Sequence, residues 1–323
     1  MTCSAGRRSG VVVATAGLGA AVLVLAGCGV VRSEPRADEG RIDVVTSTNV
    51  WGSVVREIGG DAVDVRPLIS NPVVNPHTYE SVPEDAVKIA EADLLVFNGG
   101  GYDEFVEKIL AAAPRANPTV EASTLAGEPQ QHVPEPQAVG GHGHSHDHSV
   151  NEHFWYDFHA VDAVADRVAA GLGELQPAKA QEFAANAERF HAGVRRLADQ
   201  ARQIAVARPG AEVVATEPVA FYLIEESGLT DITPDSFVDA VEAGNDPPAA
   251  ALAETQDALD ARRASALVFN PQTEGPVTAQ LRVRAEQLGI PVVSMTETLP
   301  AGQDYLQWMA GQVDSLRRAE GLA

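Results

Sequence analysis

Cysteine is nearly absent from this chain, which has only Cys3 and Cys28. Both sit in the opening segment, so the rest of the chain can form no disulfide and must rely on an apolar core. Basic residues are scarce as well: 23 Lys and Arg stand against 45 Asp and Glu, a formal net charge of −22. That imbalance argues against nucleic acid as a partner and suits a protein that attracts cations. Signatures of hydrolases are missing too, with no H-E-x-x-H and no Ser/His/Asp arrangement. Asn98-Gly99-Gly100-Gly101 lacks the spaced glycines of a dinucleotide fingerprint and a Gly-Lys-Ser/Thr ending, so it reads as a tight turn. No short-period repeat is visible. The one long apolar run, Val11–Ala26, is too short and too rich in Ala and Gly for a membrane span.

What that run does fit is a secretion leader. Arg7 and Arg8 precede it as a charged n-region, and it ends in Leu25-Ala26-Gly27-Cys28, which resembles a bacterial lipobox. The expectation is a lipoprotein signal over 1–28, with Cys28 lipidated. A polar tether follows over 29–40.

Beyond the tether, apolar runs alternate with helical spacing. Ile42–Ser47, Val63–Ile69 and Asp93–Phe97 read as strands, separated by helices over Val50–Ile58 and Pro83–Ala90. A helix over Tyr102–Ala112 closes this half. The later half repeats the alternation, with strands at Glu212–Thr216, Ala266–Phe269 and Pro291–Met295. Its helices fall at Val219–Glu226, Pro247–Ala261, Val277–Leu288 and Gln303–Arg317. Such alternation implies parallel strands with crossover helices. The fold class is therefore α/β: two similar lobes, each a mostly parallel sheet flanked by helices, over 41–158 and 207–323. Between them, Phe183, Ala187, Phe190, Val194, Leu197, Ala201 and Ile204 recur at helical steps. One long connecting helix is expected over 159–206, with Pro177 able to kink it or to begin a second helix.

The most unusual stretch is Gly140–His148, GGHGHSHDH, within a loop assigned to 128–149. His142, His144, His146 and His148 alternate with residues that resist regular structure, a layout for handling metal ions. Four further residues stand at strand-to-helix junctions, where α/β sheets place their ligands. They are His77 in Asn75-Pro76-His77, His153 in Asn151-Glu152-His153, Glu217 at the end of VVATE, and Glu297 after VVSMT. Two come from each half, as a cleft between lobes would require. His159 and His191 on the long helical stretch are expected to be surface or cap residues, and Glu152 a solvated carboxylate.

These segments resemble the zinc/manganese-type solute-binding lipoproteins of bacterial ABC transporters. The likeness is carried by LAGC, GGDAVDVRPLI leading into NPHTYE, AEADLLVFNG, NEHFWYDF, ANAERFHAGVRRL and EPVAFYLIEESGL. The resemblance implies an exported, lipid-anchored monomer on the outer face of the cytoplasmic membrane. It would carry one metal ion in the cleft and deliver it to a permease driven by an ATPase, and it would be no enzyme. By position, His77, His153, Glu217 and Glu297 would be the ligands. Many zinc-type members carry His where Glu217 stands, manganese-type members carry Glu, and Asp is usual at Glu297. Both substitutions supply oxygen, which suits manganese as well as zinc. The His-rich loop favours Zn2+ over Mn2+. Alternatives are a manganese or iron carrier, or a surface adhesin or metal store on the same fold.

The lipobox reading has a direct check. Cys28→Ser should move the protein from the membrane fraction to the soluble fraction on cell fractionation; if the variant still sediments, the apolar run is itself the anchor.

Overall fold

The computed structural model describes residues 40–71, 74–126 and 151–322. The leader, Cys28, the tether and the four histidines of 142–148 lie outside the described residues. No helix among the described residues is long and apolar enough to cross a membrane.

Ile42–Thr48 (β1), Val63–Ile69 (β2), Leu94–Phe97 (β3) and Thr119–Glu121 (β4) form a parallel sheet in the order β2-β1-β3-β4. Glu212–Ala215 (β5), Thr230–Asp231 (β6), Ala264–Phe269 (β7) and Val292–Ser294 (β8) form a second parallel sheet in the order β6-β5-β7-β8. The second order repeats the first. The central strands are rich in apolar residues because helices cover both faces; Val44, Val45, Leu94, Leu95 and Val96 are fully buried. This is the expected α/β class. Strands β4 and β6 escaped the sequence reading because TVE and TD are too short and polar to show a period.

Asn49–Gly59 (α1), Pro83–Glu91 (α2) and Glu104–Ala112 (α3) accompany the first sheet. On α1, Val50, Trp51, Val54, Val55 and Ile58 are buried at three- and four-residue steps. Phe158–Leu175 (α4) and Ala180–Ala207 (α5) follow, and then Phe221–Glu226 (α6), Asp235–Glu242 (α7), Ala249–Asp260 (α8), Pro276–Leu288 (α9) and Tyr305–Ala319 (α10). Of the two outcomes left open at Pro177, the structure has the second: the stretch over 159–206 is two helices and not one. Gln176 leaves helical geometry at φ −134° and ψ 76°, and Pro177, which cannot donate an amide hydrogen, opens a short turn before α5. The helix α5 touches α1 of the first half and α6 and α10 of the second, and α1 also touches α10. One apolar core runs from Val44 and Trp51 through Phe183 and Phe190 to Val213 and Trp308.

His191 overturns an expectation. It is neither a surface nor a cap residue but a buried clamp between α5 and α4. Its Nδ1 lies 2.7 Å from Asp162 and its Nε2 2.9 Å from Asp166. Both partners accept, so both ring nitrogens carry protons and the imidazolium is the paired species. The Asp162 hydrogen bond outweighs burial and, with the Asp166 carboxylate, pushes the imidazole up to about 9.

A group raised in this way adds stability that is complete below its unfolded value near 6.5 and is lost as pH climbs through about 9. Thermal midpoints should therefore fall between pH 6.5 and 9.5, and His191→Ala should flatten that fall. The difference should be about 1–2 kcal/mol once the exposed Asp166 is discounted. Identical pH profiles for the two proteins would exclude the clamp.

Candidate metal centre

Both imidazoles are aimed by the same local device. Asn75 Oδ1 accepts the His77 amide at 2.9 Å, and Pro76 begins the single turn Pro76–Thr78 that carries the ring. Asn151 Oδ1 accepts the amide and the Nδ1 of His153, each at 2.9 Å. An amide oxygen only accepts, so Nδ1 of His153 holds the proton and Nε2 keeps its lone pair. His153 is buried and its ring packs 5.2 Å from Trp155. His77 is half-buried, set edge-on to Tyr102 with ring centroids 4.8 Å apart. The two imidazole centroids are 5.7 Å apart.

The carboxylates arrive from the carboxyl ends of β5 and β8. Glu217 and Glu297 are both buried. Asn270, after β7, donates its single side-chain nitrogen to both, at 2.7 Å to Glu217 Oε2 and 2.9 Å to Glu297 Oε1. His77 Nε2 lies 3.6 Å from Glu297 Oε2, and its Nδ1 lies 3.7 Å from Glu152 Oε1. Tyr102 Oη stands 3.5 Å from Glu297 Oε2. Donor atoms of His77, His153 and Glu297 all fall within 4.8 Å of one another. Three of the four residues singled out from the sequence are thus brought to one point. Glu217 stands outside that triad, one shared amide away, and its buried Oε1 accepts no hydrogen bond among the described residues.

The electrostatics show too much negative charge around two neutral rings. Burial pulls His77 down to about 4. It also holds His153 well below its ordinary value, helped by the neighbouring His77. Burial, reinforced by Glu217, pushes Glu297 up to about 7, against the opposing pull of Asn270 and Tyr102. Glu217 and Glu152 are raised by burial as well. Neutral imidazoles with free lone pairs beside crowded carboxylates are what a divalent cation would stabilise.

Several participants were not legible in the sequence. Asn270, Tyr102 and Glu242 carried no motif, and Glu152 is half-buried against His77 rather than solvated. A signal for Glu152 did exist: Asn-x-His occurs twice, as Asn75-Pro76-His77 and Asn151-Glu152-His153, and each Asn fixes its His. The tight turn expected at Asn98–Gly101 is present, with Gly99, Gly100 and Gly101 all at positive φ. It delivers Tyr102 to the site.

The profile of the family described as zinc-uptake complex component A, periplasmic, matches residues 44–319. The chain belongs to the zinc-uptake component A family. That family consists of periplasmic solute-binding proteins and not of enzymes. Among curated relatives, the zinc-binding protein AdcA of Streptococcus pyogenes is 24% identical over 304 residues, covering 88% of this chain and 57% of AdcA. The manganese-binding lipoprotein MntA of Halalkalibacterium halodurans is 26% identical over 174 residues, 52% of this chain and 51% of MntA. The chain therefore spans little more than half the length of these relatives. Among solved structures, the periplasmic zinc-binding protein TroA of Treponema pallidum superposes with a TM-score of 0.69 at 18% identity, covering 87% of this chain and 99% of TroA. FpvC of Pseudomonas aeruginosa in complex with Mn2+ gives 0.64 at 25% identity over 87% of this chain and 98% of FpvC. The two-sheet architecture is thus that of this family's fold.

The shared amide can be tested without metal. Asn270→Ala should cost about 3 kcal/mol in urea unfolding under chelator, because two buried carboxylates lose a charge-assisted bond and face each other unscreened. A loss below about 1 kcal/mol would show that the bridge is not holding the pair.

Proposed function

We propose that this protein is the extracytoplasmic, solute-capturing component of a metal-uptake ABC transporter, and that its cargo is one zinc ion. The observation that carries the reading is the triad of His77, His153 and Glu297 with mutually facing donor atoms. In a tetrahedral zinc site, metal arms of 2.0–2.1 Å place neighbouring donors roughly 3.3 Å apart. The 3.6 Å between His77 Nε2 and Glu297 Oε2 is already close to that edge. Glu217 is the fourth ligand: its orphaned Oε1 needs a partner, and Asn270 holds its other oxygen. His153 presents Nε2 because Asn151 takes its Nδ1 proton. A bound dication would offset the crowding that raises Glu297 and Glu217, so binding is strongly favoured over the metal-free protein.

Residues 41–158 and 207–323 act as the two lobes of this carrier, with α5 between them. Cys28, lipidated after removal of the leader, tethers it to the outer face of the cytoplasmic membrane. His142, His144, His146 and His148 supply auxiliary zinc sites. A permease with its ATPase receives the ion. Manganese is the second reading, favoured by two oxygen donors in the inner set and by relatives whose names carry that metal.

Calorimetric titration of chelator-treated protein should give one tight zinc ion, with manganese bound more weakly. His77→Ala or His153→Ala should each weaken zinc at least 100-fold, the loss that a metal site suffers when its held geometry goes. Deletion of 140–148 should leave this tight site in place. Glu217→Gln should lower zinc affinity strongly, and Glu217→His should widen the preference for zinc over manganese. The absence of any tight site would end the reading.

A further inference from the structure

A second group of donor atoms adjoins the first. His77, Glu152 and Glu242 each offer an atom within 4.8 Å of the others, and His77 belongs to both groups. The ring spans the two, with Nε2 facing Glu297 and Nδ1 facing Glu152. Glu242 comes from the last turn of α7, and its carboxylate takes no hydrogen bond among the described residues. Glu152 and Glu242 also line a cavity of about 500 Å³ whose wall continues through Glu217, Asp231, Asp235 and Asp239. The buried, unpartnered Oε1 belongs to Glu217, which is 5% exposed and lines this same cavity. The carboxylates of the two groups differ in exposure: the Glu152 side chain is 20% accessible and that of Glu297 4%.

Resting on the cargo reading above, we infer that Glu152 and Glu242, with His77 Nδ1, form an outer capture site for a divalent cation on the path to the inner site. The donors suit the role. Carboxylate oxygens bind an aquated dication quickly and without selectivity, whereas the inner pair of imidazoles requires that water be shed. A cavity walled by one sign of charge also concentrates cations at its mouth. Glu217 lines the same cavity as Glu152 and Glu242 and shares the Asn270 amide with Glu297, so it adjoins both groups.

The two sites separate kinetically. An on-path outer site lowers the barrier in both directions, so removing it slows association and dissociation together and leaves the equilibrium nearly unchanged. The experiment mixes zinc with the chelator-treated full chain in a stopped flow and follows tryptophan fluorescence, since Trp155 packs on His153. In the wild type, the observed rate should saturate with zinc concentration. Glu242→Gln should slow association about tenfold, the low end of the effect of a charged cleft. It should slow dissociation by a similar factor, change Kd by less than about twofold, and make the rate linear in zinc. Glu242→Asp should restore most of the rate. Glu254→Gln, an equal loss of charge on the exposed side of α8, should behave as wild type. Folding is monitored by thermal melts, where loss of one crowded carboxylate should raise the metal-free midpoint.

The inference is overturned if Glu242→Gln associates at the wild-type rate, or if Kd rises while association is unchanged, which would make Glu242 an inner ligand. It is also overturned if Glu254→Gln slows binding equally. Tight calorimetric binding with normal Glu242→Gln kinetics removes only the outer site; no tight zinc binding in the wild type removes the cargo reading itself.

Discussion

One amide nitrogen, that of Asn270, stands between two buried carboxylates of like charge. Everything else at the centre is arranged around that conflict. Glu217 and Glu297 end strands β5 and β8, on either side of the β7 strand that carries Asn270. Parallel strands bring their carboxyl ends to the same rim, so three consecutive positions in the sheet deliver acid, amide and acid. The first sheet answers with two imidazoles kept neutral by burial. A folded protein rarely keeps such a concentration of acids without a countercharge. The stability given up in holding these groups together becomes affinity for whatever cation arrives.

The framework was largely legible because its signals are local. Six of the eight strands announced themselves as apolar runs, as with Val63–Ile69, whose bounds were read directly. Long α/β alternation then implied the parallel sheets. The failures were also local. The β4 strand TVE is too short to carry a period, and α7 lies in a polar stretch, DSFVDAVE, where only Phe237 is buried. Missing α7 meant missing Glu242. The long helical stretch breaks at Pro177, one of the two outcomes its sequence allowed, because a single proline outweighs a strong apolar period on both sides.

The site was legible only in part, for a different reason. His77, His153 and Glu297 could be found because each follows a recognisable strand or turn. Asn270 follows the strand Ala266–Phe269 and Tyr102 the turn Asn98–Gly101, yet neither is a residue type that marks a metal ligand, and their roles exist only once two sheets face each other. His191 was misjudged in the opposite sense: its partners Asp162 and Asp166 lie on another helix, and no spacing within α5 points to them. Polar residues whose partners are remote in sequence stay silent until the tertiary fold is known.

The segment that carries His153 comes before α4, yet residues far downstream hold it. Tyr222 Oη donates to the Asn151 carbonyl at 2.7 Å, and Asn151 Nδ2 donates to the Pro218 carbonyl at 3.0 Å. Asn49 and Leu299 exchange two more bonds across a separation of 250 residues. The segment that carries His153 is therefore held in place by the glutamate half. A duplicated or exchanged half would bring His153 without the carbonyl and hydroxyl that hold Asn151, its aiming residue, so the two sheets are bound to change together. Inheritance of the centre is indivisible even though its sheets are repeats of one pattern.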